Sequence, residues 1–164
     1  MRSLSAATDG RRYHFLMKTC PSRIRPASVT DVSAMFKVRA SVGENTMTAD
    51  ELSAIGVTPE AIALAIESGP CAWVSTIDEE VVGFAMVGLD DACLFALFVL
   101  PEHEGRGIGT RLTQTCEAAL FERRHAAWLE TGAGSRAARL YRHIGWGSES
   151  DIGGGDIRLE KRRP

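Results

Sequence analysis

The rhythm of apolar and polar positions changes several times along this chain, and each change marks an element. Arg23-Ile24-Arg25-Pro26 reads as a short strand that ends at its proline. Val32, Met35, Phe36 and Val38 then recur at roughly helical spacing behind Ser28-Val29-Thr30-Asp31. That tetrapeptide is a helix start, with a serine at the N-cap and an acid placed to reach back to it. The helix is expected to fade by Gly43. Thr46 to Ser53 is a polar connector with some helical tendency. A second start follows at Thr58-Pro59-Glu60: a capping threonine, a proline at the first helical position and an acid in the first turn. Ala61 to Glu67 continues in strong helix formers until Gly69-Pro70 stops it.

From Cys71 the texture turns β-branched and aromatic. Strands are expected over Cys71–Ile77, Val81–Leu89 and Cys93–Val99, separated by the turns Asp78-Glu79-Glu80 and Asp90-Asp91. Connections this short exclude parallel crossovers, so the three form an antiparallel meander. Ile108, Leu112, Cys116 and Ala119-Leu120 fall on one face of a helix running to about Arg123. Ala126–Glu130 is a strand, and Thr131 to Ser135 a loop. Arg136–Ile144 is a helix closed by Gly145. Trp146 opens a strand, Gly153-Gly154-Gly155 turns it, and Asp156–Glu160 returns. The piece from Cys93 to Glu130 is a strand–helix–strand crossover, so its two strands are expected to be parallel.

Composition narrows the class. With 164 residues, 45% hydrophobic and 24% charged, the chain fits one soluble domain. That domain is expected over residues 23–161, behind a flexible tail at 1–22. The tail carries Arg2, Arg11, Arg12 and Lys18 against the single acid Asp9. A targeting peptide is the rival reading there, and an initiator at Met17 another. A formal net charge of −2 supplies no basic field for nucleic acid or an anionic membrane. No apolar run approaches the ~20 residues of a spanning helix. The four cysteines form no C-x-x-C pair, and three lie in apolar stretches, which points to a reducing, cytoplasmic compartment. His14, His125 and His143 show no metal-ligand spacing, so no metal is expected. Trp73, Trp128 and Trp146 are read as strand residues of the core.

Candidate chemistry concentrates at Glu104-Gly105-Arg106-Gly107-Ile108-Gly109, between a strand and a helix. The first turn of a helix leaves backbone N–H groups unpaired at the positive end of its dipole. Glycines there remove the side chains that would hold an anion away, which makes a phosphate nest. A Walker loop would need Lys and Ser or Thr after the last glycine, where Thr110-Arg111 stands. A Rossmann turn would need its third glycine at Thr110 and would open a parallel unit rather than follow a meander. A third pattern, [Q/R]-x-x-G-x-[G/A] after a meander, fits Gly107 and Gly109.

On this stretch, from Leu97 to Leu112, and on Ala137-Ala138-Arg139-Leu140-Tyr141-Arg142-His143-Ile144-Gly145-Trp146, the chain resembles the GCN5-related N-acetyltransferase (GNAT) superfamily. The resemblance spans about Arg23 to Glu160. It implies an α/β fold: a mixed, mostly antiparallel central sheet of six to seven strands flanked by about four helices. It implies acetyl-CoA as cosubstrate and direct attack of a primary amine on the thioester in a ternary complex. The backbone of Leu97, Phe98 and Val99 would pair with the pantetheine arm, beside a slot opened by a strand bulge. Gly105, Arg106, Gly107, Ile108, Gly109 and Thr110 would hold the pyrophosphate, and Tyr141 would protonate the leaving thiolate.

Two positions depart from the family pattern. Glu104 replaces the usual Gln or Arg. Gly134 stands where the family often has Asn, with Ser135 next to it to cover part of that contact. Glu44, Glu51, Glu130 and His103 are the candidates for a base, and Asn45, Thr46 and Met47 for the acceptor wall. The expected partners are a small-molecule or peptide amine and, as is common in such proteins, a second copy of the chain. A catalytically inactive acyl-CoA sensor is the rival reading.

Overall fold

The computed structural model describes residues 21–44 and 47–164. The readings that fall on residues 1–20, and those on Asn45 and Thr46, lie outside the described residues. Among the described residues there are seven strands and five α-helices. They are β1 Arg23–Pro26, α1 Val32–Ala40, α2 Ala49–Ala54, α3 Pro59–Ser68, β2 Ala72–Ile77, β3 Glu80–Gly88, β4 Cys93–Val99, α4 Ile108–Phe121, β5 Ala126–Gly132, α5 Arg136–His143, β6 Gly147–Gly153 and β7 Asp156–Arg162. Among the described residues no helix is long and apolar enough to cross a membrane.

All seven strands form one sheet in the order β1-β2-β3-β4-β5-β7-β6. Every pairing is antiparallel except β4 with β5, which is parallel as the crossover rule requires. Each face of the sheet carries its own apolar layer. Leu112, Cys116 and Leu120 of α4 pack with Val82, Ala85, Leu129 and Leu159 on one face. Met35 and Val38 of α1 and Ile62 of α3 pack with Val74, Phe84 and Met86 on the other. Covering both faces explains why β2 and β3 read as continuous apolar runs rather than alternating ones.

Local chemistry departs from expectation in four places. The connector after α1 contains α2, started by a full capping box. The Thr48 hydroxyl accepts from the Glu51 N–H at 3.2 Å, and the Glu51 carboxylate accepts from the Thr48 N–H at 2.7 Å. The expected box at Ser28 and Asp31 forms, but it starts a 3-10 turn at Val29–Asp31 that leads into α1 rather than α1 itself. The Asp31 carboxylate accepts from the Ser28 N–H at 2.8 Å, and also takes two bonds from Arg25 at 2.7 and 2.9 Å. Trp146 precedes β6 rather than opening it, but is buried as expected. Trp128 is not core. Its indole N–H donates to the Asp91 carbonyl at 2.8 Å, and the Arg158 guanidinium lies 4.1 Å from its ring centre. The side chain is amphipathic, so a half-exposed edge with a satisfied N–H is stable.

Two irregularities position the site. Met86 faces Ala96 while Val87 faces Leu94, so Phe95 is an extra, bulged residue on β4. Beyond it, β4 and β5 share only the pair Cys93 and Trp128, with the Trp128 N–H donating to the Ala92 carbonyl at 3.0 Å. A bulge bends its strand and adds twist. From that vertex the C-terminal ends of β4 and β5 run apart.

Candidate active site

The gap between the diverging strands opens into a groove of about 320 Å³. Its floor is Leu97, Phe98 and Val99 of β4. One end is Gly105, Gly107, Ile108, Gly109 and Thr110 at the start of α4, and one wall is Arg136, Ala137 and Leu140 of α5. Val42 and Glu44, which follow α1, close the other side. Eight of the ten cofactor-binding residues named from the sequence thus meet around one space. The β4 edge past Cys93 has no strand partner on this side, leaving it open to an extended ligand.

The nest has the backbone that its glycines suggest. Gly105 and Gly107 adopt φ of +75° and +80°, and a Cβ on either would have no atom within 4 Å. Gly107 is the N-cap of α4, and the first helical bond there runs from the Arg111 N–H to the Gly107 carbonyl at 3.1 Å. The N–H groups of residues 108–110 are therefore unclaimed by the helix, as the first turn dictates. Gly109 has ordinary helical backbone. A Cβ there would come within 3.0 Å of the Leu140 Cδ2, so its smallness lets α5 approach α4.

The Glu104 departure is compensated by an ion pair to a later element. Its carboxylate lies 2.9 Å from the Arg136 guanidinium. The Arg136 backbone N–H in turn donates to the Glu44 carboxylate at 3.1 and 3.2 Å. One residue at the start of α5 thus neutralises the acid beside the nest and ties down the segment after α1. Nothing in the local string pointed to this, because the partners come from three elements far apart in sequence.

Arg106 and Ser135 do not line the groove. The Arg106 guanidinium turns to the His103 ring, 3.3 Å from Nδ1. The Ser135 hydroxyl caps α5, accepting from the Ala138 N–H at 3.0 Å, and lies 3.1 Å from the Thr131 hydroxyl. Tyr141 sits in the core with 4% of its surface exposed, its ring 6.1 Å from that of Trp146. Burial, and then Cys116 and Cys93, push its hydroxyl pKa far above the usual tyrosine value. Leu140 lines the groove, whereas Tyr141, next to it on α5, is packed inward and does not line it. Burial also holds the Cys93 thiol up, to about 11, with Glu130 and Asp91 adding to it.

Of the four candidate bases, Glu44 and His103 line the groove. Glu51 is taken up in the α2 cap, and Glu130 pairs with Arg158 at 2.6 Å. No group of three or more His, Cys, Asp or Glu among the described residues could hold a metal ion.

Comparison with known proteins agrees with this architecture. Residues 44–146 match the model of the acetyltransferase (GNAT) family. The PaiA N-acetyltransferase of Thermoplasma acidophilum, solved in complex with coenzyme A, superposes with a TM-score of 0.70 at 17% identity, covering 87% of this chain and 99% of that one. Ard1 of Thermoplasma volcanium gives 0.69 at 15%, with coverages of 87% and 98%. The putative acetyltransferase yncA of Salmonella typhimurium, solved with acetyl-CoA, gives 0.62 at 19%, with coverages of 86% and 93%. No curated protein sequence matches the chain. At these identities the solved structures establish the fold.

Proposed function

Because the chain belongs to the acetyltransferase (GNAT) family, we propose that it transfers the acetyl group of acetyl-CoA directly to a primary amine within a ternary complex. One observation carries the reading: the groove joins an open strand edge to a helix N-terminal nest, with Tyr141 buried behind the α5 wall. Two proteins of similar fold were solved with coenzyme A or acetyl-CoA, and the residues present here fit that group. The unclaimed N–H groups of residues 108–110 and the open space over Gly105 and Gly107 suit a pyrophosphate. The free β4 edge at Leu97–Val99 suits the amide-bearing pantetheine arm.

When bound, acetyl-CoA supplies a thioester carbonyl that an amine can attack. The chain's own part is to hold and polarise. A backbone N–H at Phe98 or Val99 aimed into the groove stabilises charge on the carbonyl oxygen. Tyr141 is protonated at every working pH, because burial disfavours its phenolate. It therefore serves as a proton donor to the departing thiolate. The raised pKa makes it a weak acid, so the donation depends on geometry within the complex. Cys93 stands at the vertex, but a thiol held near 11 stays protonated and is a poor nucleophile. That favours direct attack over an acyl-cysteine route. The same reading places the enzyme in the cytoplasm, with a small-molecule or peptide amine as its partner and homodimerisation expected.

Calorimetry with acetyl-CoA, ATP and NAD tests the first half, and release of free CoA thiol across an amine panel tests the second. Binding of acetyl-CoA alone and turnover with at least one amine is the expected result. Binding of ATP or NAD without acetyl-CoA overturns the reading. Tight acetyl-CoA binding with no turnover on any amine replaces it with an acyl-CoA sensor.

A further inference from the structure

A second cavity, of about 270 Å³, lies on the α1 face of the sheet. Met35 and Phe36 of α1, Ile55 and Val57 after α2, and the bulged Phe95 of β4 line it. The lining is apolar apart from one group, Arg39. Two of the wall residues are unusually open for their type: Ile55 is 63% exposed and Phe95 50%. Exposed apolar side chains gathered at the mouth of a cavity mark a binding surface more often than a structural one.

Arg39 is the anomaly. Its guanidinium lies 4.7 Å from the Phe98 ring centre, and Phe98 also lines the groove described above. The Nε is buried with no hydrogen-bond partner. Among the described residues the Nη2 reaches only the Met47 sulfur, a weak acceptor at 4.0 Å. None of the ion pairs among the described residues includes Arg39. Burial lowers its pKa, with no carboxylate acting to raise it. The side chain is half-buried and only its inner Nε is withdrawn from water; a buried donor left without a partner is costly, and a protein that keeps one retains an unsatisfied donor edge. Ring stacking holds the guanidinium plane and so preorganises that edge for a planar, two-oxygen anion.

We propose that this cavity is the acceptor subsite, and that it takes a small amine bearing an apolar side chain and a carboxylate, the carboxylate paired with Arg39. Met35, Phe36, Ile55, Val57 and Phe95 receive the apolar part. Phe98, which lines the groove, lies under the Arg39 guanidinium, so a carboxylate paired with Arg39 is held beside the β4 side of the groove. This rests on the acetyltransferase reading.

The test compares phenylalanine with phenethylamine and phenylalaninamide as acceptors, by thiol release at fixed acetyl-CoA. Phenylalanine is expected to show a KM lower by about 10–100-fold, the range of a charge-assisted hydrogen bond. Arg39→Met is expected to erase that difference, leave acetyl-CoA affinity by calorimetry unchanged, and keep Tm close to wild type, because only one unpaired buried donor is lost. Arg39→Lys, with one charge but no fork, is expected to recover only part of the preference. Calorimetry of phenylalanine against the apo protein, wild type and Arg39→Met, gives a readout independent of turnover. Equal use of all three acceptors, with acetyl-CoA still bound and turned over, overturns the subsite and leaves the acetyltransferase reading intact. Failure to bind acetyl-CoA overturns both. Should Arg39→Met not fold, equal use of the three acceptors by the wild type still refutes the proposal.

Discussion

Adding one methyl group at either of two glycines in the same turn is expected to give opposite results. At Gly107 the backbone has φ of +80° and a Cβ would meet nothing within 4 Å. The cost of Gly107→Ala is therefore backbone strain alone, about 1–2 kcal/mol for an L-residue in the left-handed region. The reduced freedom of the unfolded chain returns about 0.4–1 kcal/mol, leaving a net loss of roughly 1 kcal/mol. For a chain of this size that lowers Tm by about 2–4 °C. Relief of the strain rotates the peptide that carries the Ile108 N–H away from the groove. Losing one such bond to a phosphate weakens acetyl-CoA binding by about 10–100-fold. At Gly109 the backbone is helical, and alanine gains up to ~1 kcal/mol over glycine there. The opposing contact is the Leu140 Cδ2 at 3.0 Å, the free end of a side chain that can turn aside. Gly109→Ala is therefore expected to stay within about 0.5 kcal/mol of wild type, with acetyl-CoA affinity changed little. Thermal unfolding with and without acetyl-CoA, and calorimetry, measure both effects. Equal losses of affinity in the two variants, or a Gly107→Ala protein as stable as wild type, would refute the argument.

Three further outcomes follow from the same geometry. Tyr141→Phe is expected to lower turnover at least tenfold, roughly the lower bound for a lost general acid, with acetyl-CoA affinity unchanged; wild-type turnover removes Tyr141 as the acid. The buried Glu117 carboxylate accepts from the Trp146 indole at 2.8 Å and from Lys161 at 2.9 Å, so Glu117→Ala strands the indole N–H and leaves the Lys161 charge with only the Ile144 carbonyl, at a cost of about 3 kcal/mol. Glu117→Gln keeps an acceptor oxygen and is expected to lose about a third of that; urea unfolding in which both variants match wild type contradicts the assignment. Arg25 holds the Asp31 carboxyl pKa below its unfolded value, so the pair stabilises fully above about pH 4 and is lost as pH falls through the folded value. The stability gap between wild type and Arg25→Gln is therefore expected to close on acidification, and a gap that widens below pH 4 reverses the sign worked here.

Sequence alone determined what is decided within a few residues. The meander was legible because its connections, opened by Asp78 and by Asp90-Asp91, are too short for a crossover, although Glu79 and Ala92 take positive φ of 67° and 56° that their own side chains disfavour. The nest was legible because only glycine enters φ near +80° without strain. The capping role of Ser135, whose hydroxyl accepts from the Ala138 N–H, was not read from the sequence, where it stood only as a cofactor contact. The order β5-β7-β6 was readable in principle. Ile157 and Leu159 alternate with polar residues on β7, whereas Gly147–Gly153 is almost wholly polar and suits an edge.

Tertiary structure decided everything that joins distant segments. Arg136 answers Glu104 and Glu44 only because α5 lies along the groove. Phe95 became a bulge only through the register of β3, and the groove exists because β4 and β5 share a single pair. Arg39 looked like one more polar residue on an amphipathic helix until packing set it, unpaired, over Phe98. Local conformational preference is written residue by residue, but the partner of a charge is chosen by the whole fold.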